Sequence, residues 1–140
     1  MDIKKKVDIL VQKHKTRNPF EMILGMNVIL VYHQLDGVRG FYQYFQRNNI
    51  IYIDDNLPER EQLFVCAHEL GHMLLHKKTN AIFMDTRTHF TTSKFETEAN
   101  RFAIQLLLSD ELLNNYKEYN IQQLSHITGY NEKLIKLRLM

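Results

Sequence analysis

Cysteine is nearly absent from this 140-residue sequence, and the single copy, Cys66, excludes an internal disulfide. That usage fits a reducing compartment. Long apolar runs are missing too. The stretch Met22 to Tyr32 is too short to span a bilayer and is broken by Gly25 and Asn27. Charge of one sign is not in excess: 18 basic and 16 acidic residues leave a net +2 with neutral histidines, which implies no bulk attraction to a polyanion. The basic run Lys4-Lys5-Lys6 lies beside Ile3, Val7, Leu10 and Val11 at helical spacing, the pattern of a solvated helix face rather than a membrane or nucleic-acid patch. No repeat or low-complexity segment divides the chain. One domain over residues 1–140 is expected, soluble and cytoplasmic, with no room for a second catalytic domain.

The order of local patterns predicts an α+β fold. Residues 3 to 15 read as an amphipathic helix, and Phe20 to Leu24 as a short one closed by Gly25. Three β-rich runs follow: Val28 to Tyr32, Gly40 to Phe45 and Ile50 to Ile53, separated by Asp36-Gly37 and Asn48-Asn49. They read as a small three-stranded meander. A longer helix begins near Asn56 to Pro58, a polar stretch runs from Lys77 to Thr92, and another helix spans Ser93 to about Leu107. The tail, 109–140, reads as short helices within the same domain: Asp110 to about Tyr119, Ile121 to Thr128 and Glu132 to Leu139.

The longer helix carries His68-Glu69-Leu70-Gly71-His72. At about 3.6 residues per turn the two imidazoles leave the same face, one turn apart. Zinc accepts neutral imidazole nitrogens at about 2.0–2.1 Å, and a catalytic site takes three protein ligands and keeps one position for water. Glu69 beside that water is placed to be its general base. Leu63, Ala67, Leu70 and Leu74 form a core stripe, and Glu61, Val65, His68, Glu69, His72 and His76 fall on the other side. Cys66 lies about 160° from His68 and reads as core. Gly71 costs a helix about 1 kcal/mol relative to alanine, which points to close approach of a neighbour. His76 is either a C-terminal residue favoured by the helix dipole, the preferred reading, or part of the cleft.

A third ligand is needed, and Glu96-Thr97-Glu98-Ala99-Asn100 offers two carboxylates. Glu96 shares a face with Asn100, Ala103 and Leu107, while Glu98 points about 200° away. Ser93-x-x-Glu96 also reads as a capping box, so a structural role competes with the ligand role. With the upstream histidine pair, the ligand role of Glu96 is favoured, with Glu98 the alternative. Asn100 is then placed to accept the second N–H of a ligand histidine, and Ala99 and Ala103 to let the helices approach closely.

These motifs together resemble the ImmA/IrrE family of metallopeptidases. The resemblance rests on Asn18-Pro19-Phe20-Glu21, on Ile50 to His76 with Ala67-His68-Glu69-Leu70-Gly71-His72, and on the Glu-x-x-Ala-Asn-x-Phe-Ala pattern beginning at Glu96, covering most of residues 18 to 108. It implies a gluzincin-like zinc endopeptidase with one Zn²⁺, His68, His72 and Glu96 as ligands and Glu69 as base. Short members of the family are encoded by prophages and mobile elements and relieve repression by cleaving a repressor, so an anti-repressor acting on a DNA-binding protein partner is implied. Where the family commonly continues Leu-Leu-Met-Pro, this chain has Leu106-Leu107-Leu108-Ser109, and Ser109 can end one helix and cap the next. The competing reading is a regulatory binding protein with a structural or absent metal. Residues Ile121 to Leu139 have the outline of a helix-turn-helix, with Lys133, Lys136 and Arg138 on its second helix. Low basic content favours a tail that packs on the catalytic helices, without direct nucleic-acid contact.

Overall fold

Asp2 opens the first helix by accepting a hydrogen bond from the Lys5 amide at 3.0 Å. Helix α1 (Ile3–His14) then buries Ile3 and Val7 and leaves Lys4, Lys5 and Lys6 exposed, until Lys15 stops it in the left-handed region. Asn18 caps α2 (Pro19–Leu24) by accepting from the Phe20 and Glu21 amides, and Pro19 pre-sets the first turn. The computed structural model describes residues 2–76 and 89–140, apart from the side chains of 89–93. The expected polar stretch Lys77 to Thr92 lies mostly outside these residues.

Three strands, β1 (Val28–His33), β2 (Gly40–Phe45) and β3 (Asn48–Asp54), form one sheet in the order β1-β3-β2. Strand β3 is antiparallel to β2 and parallel to β1, which corrects the expected meander. The link 34–39 explains the difference. Six residues reach about 20 Å, enough to step over two strand spacings of about 4.8 Å, so β2 is laid one strand-width away and the chain returns to fill the gap. The β2–β3 turn also differs from expectation. It is made by Gln46 and Arg47, both left-handed at φ 50° and 68°, as a two-residue hairpin loop of the primed type requires. Asn48 and Asn49 therefore belong to β3, and the Asn49 carboxamide oxygen accepts the Tyr42 hydroxyl at 2.6 Å. Burial keeps that phenol protonated, its pKa pushed up to about 12.

Leu30, Ile51 and Tyr42 stand in one cross-strand row against the helices. Onto this face packs α3 (Glu59–Leu75), which starts at Pro58 without a side-chain cap, so Asn56 does not serve as one. The other side of α3 meets α4 (His89–Leu107). Sandwiched in this way, α3 is buried almost all round from Val65 to Met73, apart from a partly exposed His68. The expected division into a core stripe and a site stripe is therefore corrected: Val65 joins Cys66 and Leu70 in the core, while Leu63 and Leu74 are only partly buried. Burial pushes the Cys66 thiol up, in keeping with a core residue.

Helix α4 is the wall shared by two cores. Phe102, Ala103 and Leu106 face α3 and α1, whereas Ile104 and Leu108 face the tail. It begins at His89, four residues before the expected start, so Ser93 lies within the helix and does not cap it. Ser109 does cap α5 (Asp110–Asn115), accepting from the Leu112 amide at 3.0 Å; this helix ends short of Tyr119. Helix α6 (Ile121–Thr128) opens with an Asn120–Gln123 capping box and closes on left-handed Gly129, and Asn131 caps α7 (Glu132–Leu139). Leu124 and Ile135 seat this pair against α4. Arg138 turns inward, donating to the Leu108 carbonyl and to Asp110, both at 2.7 Å. Lys4 reaches the same carboxylate at 3.0 Å, and the two cations hold Asp110 at a pKa of about 2. Among the described residues no helix is long and apolar enough to cross a membrane.

Candidate metal centre

The helical spacing of His68 and His72 delivers both Nε2 atoms to one carboxylate. Glu96 Oε2 lies 2.9 Å from His68 Nε2, and Glu96 Oε1 lies 2.7 Å from His72 Nε2. Helix α3 presents the imidazoles and α4 the carboxylate, because the two helices approach closely at small residues. A side-chain carbon on Gly71 would meet Phe102 at 3.1 Å, and Ala99 and Ala103 are fully buried. This is the close approach that a glycine inside the helix implied. Burial works against ionisation of Glu96, but hydrogen bonds from His68 and His72 outweigh it and hold the carboxyl well below the usual range. Burial lowers the pKa of His72, which favours the neutral imidazole that a metal requires.

The donor set fits a divalent ion. One ligand atom from each of His68, His72 and Glu96 lies within 4.8 Å of the others. Four-coordinate zinc with bonds of about 2.0–2.2 Å separates its donors by about 3.3 Å, so small adjustments of the present contacts suffice. Glu69, only 3 % exposed, lines the same cleft of about 450 Å³ with His68, Glu96 and Asn100, and with 37–40 at the entrance to β2.

Behind the cluster is a chain of groups whose membership the sequence left unresolved. His72 Nδ1 lies 3.1 Å from His76 Nδ1, and His76 Nε2 lies 2.9 Å from Glu98 Oε1. Glu98 as a carboxylate only accepts, so His76 carries its proton on Nε2 and accepts from His72 Nδ1. With an ion bound, when His72 Nε2 no longer donates to Glu96, that assignment leaves the Nε2 lone pair for the metal. His76 does cap the C-terminus of α3, as the dipole reading held, yet it is 4 % exposed and packed edge-on against Phe95 at 4.5 Å. Glu98 is turned away from the His68–His72 cluster, as its 200° offset predicted, and meets the next histidine along. The signal was the third histidine at the same four-residue spacing.

Asn100 lines the cleft but makes no hydrogen bond to His72 among the described residues; the outer nitrogen of His72 faces His76 instead. The Tyr42 and Tyr52 hydroxyls, which could otherwise donate to an oxyanion, are engaged by Asn49 and Gln43. Arg39, which the sequence reading passed over, lines the cleft directly. A cation just before a strand and after a glycine turn was the only available cue.

Comparison with known proteins agrees with this geometry. Residues 23–139 match the family model described as the IrrE N-terminal-like domain of a peptidase family. The chain is 40 % identical over 139 residues to a protein of Bacillus phage phi105 named uncharacterized immunity region protein 2, covering 97 % of this chain and 88 % of that one. It is 31 % identical over 135 residues to metallopeptidase ImmA of Bacillus subtilis (strain 168), covering 95 % of this chain and 75 % of the relative.

Proposed function

Since this chain belongs to the IrrE N-terminal-like peptidase family, and is thereby a metallopeptidase of the ImmA type, we propose that it is a zinc-dependent endopeptidase of gluzincin type acting on a protein partner. The single observation that carries the reading is the convergence of His68, His72 and Glu96 beside buried Glu69. His68, His72 and Glu96 would hold the ion. When bound, zinc polarises a carbonyl and acidifies a water.

The protein's own groups supply the rest. Glu69, held in the cleft by a helix buried on almost every side, takes a proton from the attacking water and passes it to the departing amine. His76 and Glu98 fix the ring of His72 and the nitrogen on which its proton sits. The names of the two relatives, one from a phage immunity region and one a metallopeptidase, support a repressor as the substrate and an anti-repressor role.

The test is cleavage of the repressor that accompanies this protein, using zinc-loaded wild type and Glu69→Gln. General-base loss is expected to lower the rate at least about 100-fold with zinc content unchanged. Equal rates for the two proteins would remove Glu69 from the chemistry and the reading with it.

A further inference from the structure

The metal cleft does not end at Arg39, Phe64 and Asn100. These three residues also line a second groove of about 730 Å³, bounded by the start of α3 and by α7. Among the described residues, exposed Arg39, Arg60, Lys133 and Lys136 border it, and the Glu61 carboxylate lies 3.7 Å from Arg39. A chain with a net charge of only +2 thus gathers four cations along one extension of its cleft. Left-handed Gly129 makes room for one of them, since a side chain there would run into the Arg60 guanidinium. Between the cations, apolar Phe64, Tyr130, Leu134 and Leu137 alternate with polar Thr97, Asn100 and Asn131.

We propose that this groove binds an acidic, partly apolar segment of the polypeptide substrate, to one side of the bond to be cut. The inference rests on the peptidase reading of the cleft that the groove extends. Continuity with that cleft and charge complementarity select a peptide. A nucleic-acid backbone would have to settle on the apolar wall and beside Glu61, and Arg138, the third cation of the helix-turn-helix outline, is buried against Leu108 and Asp110.

The test uses full-length, zinc-loaded Glu69→Gln protein, so that the probe is not turned over, and two labelled decapeptides of alternating leucine with glutamate or with glutamine. The glutamate peptide is expected to bind about tenfold more tightly at low salt, with the advantage shrinking in 0.5 M salt. Adding Arg60→Gln, Lys133→Gln and Lys136→Gln is expected to bring the ratio of the two affinities close to one. Equal affinities for the two peptides, or a ratio unmoved by salt and by the triple change, overturn the proposal. So does a duplex DNA that binds more tightly than the glutamate peptide through the same three cations. Should the wild type cleave no protein while charge-dependent peptide binding persists, the peptidase reading fails and the groove stands; cleavage without any charge preference is the reverse outcome.

Discussion

A methyl group added at Gly71 sets two opposing effects against each other. Alanine inside a helix is favoured over glycine by about 1 kcal/mol, so on propensity alone Gly71→Ala stabilises. The added carbon would lie 3.1 Å from Phe102 Cβ and 3.1 Å from its Cδ1. Phe102 is fully buried and one of these contacts is to its Cβ, next to the backbone, so the neighbour has little room to yield. Overpacking of this kind costs about 1–3 kcal/mol. Taking about 2, the net is a loss of about 1 kcal/mol, or about 3 °C in Tm for a chain of this size. The strain also has a direction, because separating α4 from α3 draws Glu96 away from His72. Zinc affinity should therefore fall together with stability, and both losses should shrink when Gly71→Ala is made in a Phe102→Leu background. Urea unfolding of the metal-free proteins and zinc competition against a chelator measure the two quantities. A Gly71→Ala protein more stable than wild type, with zinc affinity unchanged, would refute the close-approach argument.

Other changes address the outer groups and the tail. Glu98→Gln removes the charge that orients His76, and zinc affinity is expected to drop about tenfold in the same chelator assay, with fold stability nearly intact; unchanged affinity would leave His76 and Glu98 without a role in holding His72. Asp110 gives a pH signature. Its pKa is depressed in the folded state to about 2 by Arg138 and Lys4, so its contribution is complete above the unfolded value of about 3.8 and is lost as pH falls toward 2. Because the carboxylate is largely exposed, screening reduces that contribution to about 1 kcal/mol. Asp110→Asn should be the less stable protein at pH 6, and the two unfolding free energies should converge near pH 2; a constant gap would show that ionisation of Asp110 is not the cause.

Much of the site was legible because helical geometry is local. Four-residue spacing fixed the shared direction of His68 and His72, and the 200° offset separated Glu96 from Glu98 before any tertiary contact was considered. The tail helices were equally readable, since Asn120, Gly129, Asn131 and Ser109 act on their own neighbours. What local pattern did not carry was partnership across the fold. That β3 pairs with β1 in parallel depends on how far the link 34–39 throws β2, and the β-rich runs read the same in either order. The burial of Val65 depends on α3 having a second neighbour. His76 and Glu98 find each other only through the crossing of α3 and α4, and Arg39 reaches the cleft only through the placement of β2.

The central position of β3 also dictates an order of events in folding. The β2–β3 hairpin closes across two residues, whereas β1–β3 pairing joins positions 21 apart, such as Val28 and Asn49, and so pays the larger loop-closure entropy. Helix α3 leaves the sheet directly from β3, and the row of Leu30, Ile51 and Tyr42 that it rests on is complete only once β1 has docked. The histidines therefore reach their final positions after the slowest strand pairing. A nascent chain passes through its hairpin stage with no assembled means of cutting a neighbour.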